Sequence, residues 1–164
     1  MENKKELTVK EALSKASFYC SASEHCSAEV MEKLKQWGMS DVEKQEEVIQ
    51  HLIRENYIDE QRYCRAFVHD KYRFNKWGKA KIAMTLKQKA LPATYINEAM
   101  TTIDEEEYIS ILKELLRTKD ASIRNASPYE RYGKLMRFAI GRGFETEAVS
   151  KAIQALQIGY EAED

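Results

Sequence analysis

A chain of 164 residues, 43% hydrophobic and 32% charged, suits one globular domain or a few very small units in series around a thin core. Two prolines and six glycines leave little room for the turns of an all-β sandwich, and no apolar run reaches the roughly 18 residues of a membrane span. A formal net charge of −1 gives no overall attraction to nucleic acid.

The opening residues MENKKELTVKEALSK lack the apolar stretch of a secretory signal, so a cytoplasmic protein without membrane contact is expected. Cys20, Cys26 and Cys64 are an odd set in no framework spacing, consistent with reduced thiols.

Helix-start signals recur along the chain. Thr8 with Glu11, Ser40 with Glu43, Asp104 with Glu107 and Ser127 with Glu130 each place a capping side chain three residues before a glutamate. Asp59 is a further N-cap, with Arg62 in place of the glutamate. Pro92 and Pro128 suit first-turn positions, where no intrahelical amide is needed. Between these signals apolar residues step by three and four: Val30, Met31, Leu34, Trp37; Val48, Ile49, Leu52, Ile53; Ile82, Leu86; Leu135, Met136, Ala139. That is the helical period. An all-α chain of roughly nine or ten helices, each about 10–14 residues, is predicted.

Two echoes run through those helices. YIDEQRYC from Tyr57 and TIDEEEYI from Thr102 share Ile-Asp-Glu, then two polar residues, then Tyr, with Ile58 and Ile103 45 residues apart. VMEKLKQWGMS from Val30, IAMTLKQKALP from Ile82 and LMRFAIGRGFE from Leu135 stack without gaps at spacings of 52 and 53. Each brings a small turn residue (Gly38, Ala90, Gly143) followed by a large apolar one (Met39, Leu91, Phe144). Repeated three-helix units hide in series an apolar face that one alone exposes. Taking Ile-Asp-Glu as the start of each unit's third helix, the bounds are an N-terminal extension over 1–23, repeats over 24–73, 74–120 and 121–158, and an acidic tail over 159–164. The two periods then differ through a first-unit middle segment seven residues longer. The predicted architecture is an elongated array of three tandem, helix-turn-helix-like three-helix repeats behind a short N-terminal helix.

No phosphate-cradling glycine loop and no nucleophile elbow occurs. Cys20, His25 and Cys26 lie close together, but a metal site needs a fourth ligand at sensible spacing and none is present. The carboxylates cluster at helix starts, where they complement the dipole. Neither an enzyme nor a cofactor is expected.

The charge is unevenly spread. From Arg62 to Lys89 nine basic residues face one acid, Asp70, a net +8. They are Arg62, Arg65, Lys71, Arg73, Lys76, Lys79, Lys81, Lys87 and Lys89, and KYRFNKWGKAK interleaves Tyr72, Phe74 and Trp77 with them. Such a pattern suits a phosphate chain with stacked bases. The alternative is that the rings fill the joint between the first two units. For each ring that second role is favoured, and for the cations as a group a partner-binding role. Arg131, Lys134, Arg137 and Arg142 form a smaller stripe whose steps share one helix side. Operator reading by a helix-turn-helix demands a neutral or basic second helix. Glu43, Glu46 and Glu47, then Glu98, then Glu145 and Glu147 occupy those helices, so sequence-specific DNA binding is disfavoured.

The stretches YIDEQRYCRAFVHDKY, WGKAKIAMTLKQKAL and KLMRFAIGRGF resemble the RecX regulatory family, bacterial modulators of the RecA recombinase. The matching positions are Asp59, Glu60, Arg62, Tyr63, Phe67 and Val68, then Gly78, Lys79, Ile82, Leu86 and Lys89, then Arg142, Gly143 and Phe144. The resemblance covers roughly residues 27–157. Ala90 departs from it, standing where the family usually has glycine, so that turn avoids a left-handed conformation or bears its cost. The segment to about Ser23 matches nothing in it. The resemblance implies a non-enzymatic regulator that lies in the groove of the RecA filament and restrains ATPase, strand exchange or coprotease activity in recombination, DNA repair and the SOS response. A monomer is expected. The contacts to RecA, or to single- or double-stranded DNA without sequence specificity, then fall to Arg62, Arg65, Lys71, Arg73, Lys76, Trp77, Lys79, Lys81 and Lys87, with Arg131, Lys134, Arg137 and Arg142 as a second surface. A sequence-independent DNA-binding module acting without RecA is the rival.

Overall fold

The computed structural model describes residues 5–158. Among them are nine helices and no strand: α1 Val9–Ala22, α2 Ser27–Gln36, α3 Val42–Arg54, α4 Glu60–Arg73, α5 Lys79–Gln88, α6 Ala93–Thr101, α7 Glu105–Ser122, α8 Pro128–Gly141 and α9 Thr146–Ala155. The predicted tail over 159–164 lies outside the described residues.

The helix starts follow their capping chemistry. Thr8, Asp59, Asp104 and Ser127 accept from the backbone N–H three residues on, at 3.2, 3.0, 3.0 and 3.2 Å. Ser40 does not cap α3. Asp41 takes that place, accepting from the Glu43 and Lys44 amides at 2.9 and 3.3 Å, while Ser40 donates to Glu6 at 2.5 Å. Pro128 opens α8 in its first turn, whereas Pro92 sits one position earlier, as the extended N-cap of α6.

The three turn echoes are one structure written three times. Gly38, Ala90 and Gly143 all have positive φ, +97°, +60° and +95°. In each, the following residue donates back to the helix: Met39 to the Leu34 carbonyl (2.9 Å), Leu91 to Leu86 (3.4 Å), Phe144 to Ala139 (3.1 Å). All six of these residues are buried. This left-handed helix end satisfies orphan carbonyls and buries an apolar contact across the turn. Ala90 therefore bears the left-handed cost that its sequence left open.

The repeat bounds need correction. α1 packs on α3 and α2, α4 on α5 and α6, and α7 on α8 and α9. The units are thus α1–α3, α4–α6 and α7–α9, not 24–73, 74–120 and 121–158. Within the 1–23 segment, Val9–Ala22 is no extension, since α1 buries Ala12 and Ala16 completely as the first helix of unit 1. Ile-Asp-Glu opens the first helix of units 2 and 3, not the third helix of a unit. An echo fixes the period of a repeat but not its phase; the phase comes from which apolar faces meet. The unequal periods also have a different source. α7 and α8, of 18 and 14 residues, each exceed α4 and α5, of 14 and 10, by four, about one helical turn.

Unit 1 closes its own core around Leu34, Met39, Val48 and Leu52. Units 2 and 3 share a continuous one, running from Val68, Ile82 and Leu86 through Tyr108 and Leu112 to Leu135 and Val149. At their joint the Gly78 amide donates to the Arg142 carbonyl (2.8 Å) and the Ala80 amide to Gly143 (3.0 Å). A Cβ on Gly78 would lie 2.1 Å from the Gly143 carbonyl carbon and the Phe144 nitrogen, so only glycine permits this approach.

Candidate functional site

α4 and the turn after it carry most of the predicted basic patch, and most of its cations are already engaged. Arg62 donates to Glu24 at 2.5 Å and to the Asn56 carbonyl at 3.1 Å. Arg65 donates through Nε to Glu98 at 2.9 Å, and Arg73 pairs with Glu107 at 2.9 Å. Lys79 pairs with Glu105 while lying over the Tyr108 ring at 4.7 Å. Glu98 is held below its ordinary carboxylate pKa by hydrogen bonds from Gln61 and Arg65. These pairs join unit 1 to α4, α4 to α6 and units 2 to 3, so the local +8 is largely neutralised within the molecule.

What remains outward on this side is small. Trp77 lies between Lys71 and Lys81, whose ammonium groups sit 4.8 and 4.2 Å from its ring, a cation–π arrangement that orders both. Lys76 is exposed at φ +56° and Lys87 is exposed on α5. Tyr72 is fully buried and Trp77 packs against the shared core, filling the joint as favoured, but that joint is between units 2 and 3. Phe74 points away, 80% exposed.

The second stripe divides differently. Arg131 is structural: it donates to the Asp120 carboxylate at 2.5 Å and to the Asp120 and Ile123 carbonyls at 3.1 and 3.4 Å, fastening α7 to α8. Arg142 stacks on Phe138 at 5.1 Å and reaches the Asn75 carbonyl at 3.4 Å. Lys134 and Arg137 stand exposed, with no carboxylate in ion-pair range among the described residues. Together with Lys119 and Arg124 they line an open hollow of about 680 Å³ between the end of α7 and α8. Lys119 and Arg124 are functional candidates that the sequence stripe missed, because only the packing of α7 on α8 brings them across a gap of ten or more residues. Phe138, the floor of that hollow, carries Lys119 on its ring at 5.2 Å.

The Cys20–His25–Cys26 region is a packing cluster. His25 stacks on Tyr19 with ring centroids 3.7 Å apart, and its nitrogens face Glu29 at 3.0 Å and Ser23 at 2.9 Å. Burial pushes the Cys20 and Cys26 thiols up to about 11, so both are protonated near neutral pH and pack as small apolar groups. Carboxylates at the third helices of units 2 and 3, α6 and α9, likewise serve the fold. Glu98 holds Arg65, and Glu145 accepts from Tyr108 Oη at 3.1 Å.

Three helix-turn-helix-like bundles in series, with acidic third helices and cations gathered elsewhere, define a class of tandem tri-helical proteins. Family models of the second and third three-helix domains of RecX match residues 59–100 and 105–153, the same units the packing delimits. Regulatory protein RecX of Chlorobaculum tepidum is 31% identical over 139 residues, covering 84% of this chain and 82% of that protein. Regulatory protein RecX of Clostridium beijerinckii is 31% identical over 124 residues, 74% of this chain. The chain belongs to the RecX family. It spans about half the length of some curated relatives, 56% of the Clostridium beijerinckii protein and 54% of the one from Lactobacillus johnsonii. The crystal structure of RecX from Lactobacillus salivarius has the same fold, with a TM-score of 0.79, 18% identity and coverage of 91% of this chain and 96% of that one. No described helix is long and apolar enough to cross a membrane.

Proposed function

We propose that this protein is a non-enzymatic cytoplasmic regulator that binds the RecA nucleoprotein filament and modulates it, mostly by inhibiting ATPase, strand exchange and coprotease activity. The observation that carries this reading is the match of units 2 and 3 to RecX domains. Two outward cationic sites on those same units support it: Lys76 beside the Lys71–Trp77–Lys81 sandwich, and the hollow of Lys119, Arg124, Lys134 and Arg137. Such patches orient and speed docking on an acidic polymer.

RecA ATPase on single-stranded DNA, with and without this protein, tests the reading. Inhibition is expected to persist at protein levels too low to coat the DNA. The absence of any effect at any ratio overturns it. The rival, a DNA-binding module independent of RecA, is favoured by the cations of the hollow, which have no ion-pair partner among the described residues, and predicts inhibition only when the DNA is coated.

A further inference from the structure

Unit 3 differs from unit 2 by two added turns. Aligned on the Ile-Asp-Glu start, the extra turn of α7 is 119–122; aligned on the left-handed turn, the extra turn of α8 is 128–131. The two additions are fastened to each other by the Asp120–Arg131 pair. They are what build the hollow, since Lys119 and Ser122 lie on the first and Arg124 on the loop just after it. On the opposite flank of Lys134 and Arg137 a second open hollow, of about 510 Å³, is lined by Tyr129, Glu130, Tyr132, Gly133 and Met136. Tyr129 is 87% exposed and Tyr132 41% exposed.

Lys134 and Arg137 thus stand between a cationic trough and a pair of exposed rings. From this geometry we infer that the α7–α8 face of unit 3 is a binding site for single-stranded nucleic acid. Phosphates lie along Lys119, Arg124, Lys134 and Arg137, and unpaired bases stack on Tyr129 and Tyr132. A cationic groove beside aromatic platforms is the recurring chemistry of strand binding without sequence preference. A duplex keeps its base faces stacked and answers only the cations. An acidic protein surface likewise leaves the rings uncovered. The inference takes its setting from the filament reading but not its chemistry, which concerns this chain and DNA alone.

The test uses the full chain and a fluorescently labelled oligothymidylate, with binding followed by anisotropy as salt is raised. Four phosphate contacts at about 0.7 each give a slope of log affinity against log salt of about −3. Replacing Arg124, Lys134 and Arg137 together by alanine is expected to flatten that slope to about −0.7. The doubly substituted Y129A/Y132A chain is expected to lose about tenfold in affinity at unchanged slope. Lys44→Ala, on α3, should change neither. Helical circular dichroism checks each variant, and Arg137→Glu alone, at an exposed position, repeats the charge test with the least structural change. Wild-type affinity and slope in the charge variants overturn the inference. So does equal binding of a duplex that ignores the tyrosine changes. If no oligonucleotide binds at low salt while RecA is still inhibited, the site is wrong and the filament reading stands. If the variants lose the oligonucleotide as expected while the wild type leaves RecA untouched, the site stands and the filament reading fails.

Discussion

Units 1 and 2 each begin their second helix without a cap of their own, and each borrows one from the next unit by different means. α2 starts at Cys26, which makes no side-chain cap bond; instead Glu60 of α4 accepts from the Ser27 amide at 2.7 Å. α5 starts at Gly78, also without a side-chain cap; there Tyr108 Oη accepts from the Lys79 amide at 3.0 Å and the Gly143 carbonyl from the Ala80 amide at 3.0 Å. The first joint leans more on charge, with Glu24–Arg62 and Glu29–Lys89 beside Glu60, and Cys26 reaching into the core of units 2 and 3. The second has ion pairs of its own, Arg73–Glu107 and Lys79–Glu105, but it also sets backbone against backbone and is continuous with the shared core. Ion pairs at a surface are weak and screened by salt, whereas buried apolar contact and close backbone approach are not. Units 2 and 3 therefore form one cooperative body, and unit 1 is attached to it by a joint that solution conditions can loosen.

The largest effects come from the leucines that hold equivalent turns. Leu34 and Leu86 are both fully buried, so truncation to alanine costs about 2–5 kcal/mol in either place. The consequences should differ. Trp37 packs on the unit 1 core and Trp77 on the shared one, so single-tryptophan chains report each body during urea unfolding. Leu34→Ala is expected to move the Trp37 transition and leave that of Trp77, while Leu86→Ala lowers α4–α9 as a block. One coincident transition for both reporters in both variants breaks the comparison.

The turn residues sharpen it. Gly143→Ala adds left-handed strain to a Cβ only 2.3 Å from Lys81 Cβ and 2.6 Å from its nitrogen, about 3 kcal/mol in all. Gly38→Ala meets nothing within 4 Å, leaving only the strain of about 1–2 kcal/mol. Ala90→Gly reverses that strain at φ +60° and should stabilise by about 1 kcal/mol, less what glycine's greater unfolded-state freedom removes. Thermal unfolding of the three variants gives the order, and a Gly143→Ala chain no less stable than Gly38→Ala would mean the second joint has slack.

Much of this was legible in the chain. The all-α class, four of the five proposed caps and the three turns at Gly38, Ala90 and Gly143 follow from local chemistry, which a sequence states directly. The phase of the repeat was not, because α4 is as good a third helix as a first until it is seen packing on α5 and α6. The RecX resemblance gave the family. The candidate surface was the least legible part. Counting cations between Arg62 and Lys89 says nothing of Glu24, Glu98 and Glu107, which arrive from 33 to 38 residues away to hold Arg62, Arg65 and Arg73. For the same reason Lys119 and Arg124 went unnoticed beside Lys134 and Arg137.

The smallest effect probes the charged joint itself. Burial raises the pKa of Glu29, but hydrogen bonds from Tyr63 and His25, the charge of Lys89 and the Cys26 thiol together bring it below the ordinary carboxylate value. A carboxylate with a depressed folded pKa contributes stability that is present above its unfolded value, about 4.3, and is lost as pH falls through the folded one. Acid should therefore release unit 1 before it disturbs the second joint, which backbone hydrogen bonds and the shared core hold besides its ion pairs. In single-tryptophan chains titrated downward, Trp37 fluorescence is expected to change first and that of Trp77 later. Glu29→Gln carries no charge to lose, so it should shrink the acid-induced step at Trp37 and leave Trp77 unaltered. High salt at neutral pH should mimic the acid step in part, since screening weakens Glu24–Arg62 and Glu29–Lys89 without protonating either carboxylate. A Trp37 signal indifferent to acid, salt and Glu29→Gln alike would place the strength of the first joint in its apolar contacts, Cys26 foremost, and make both joints of one kind.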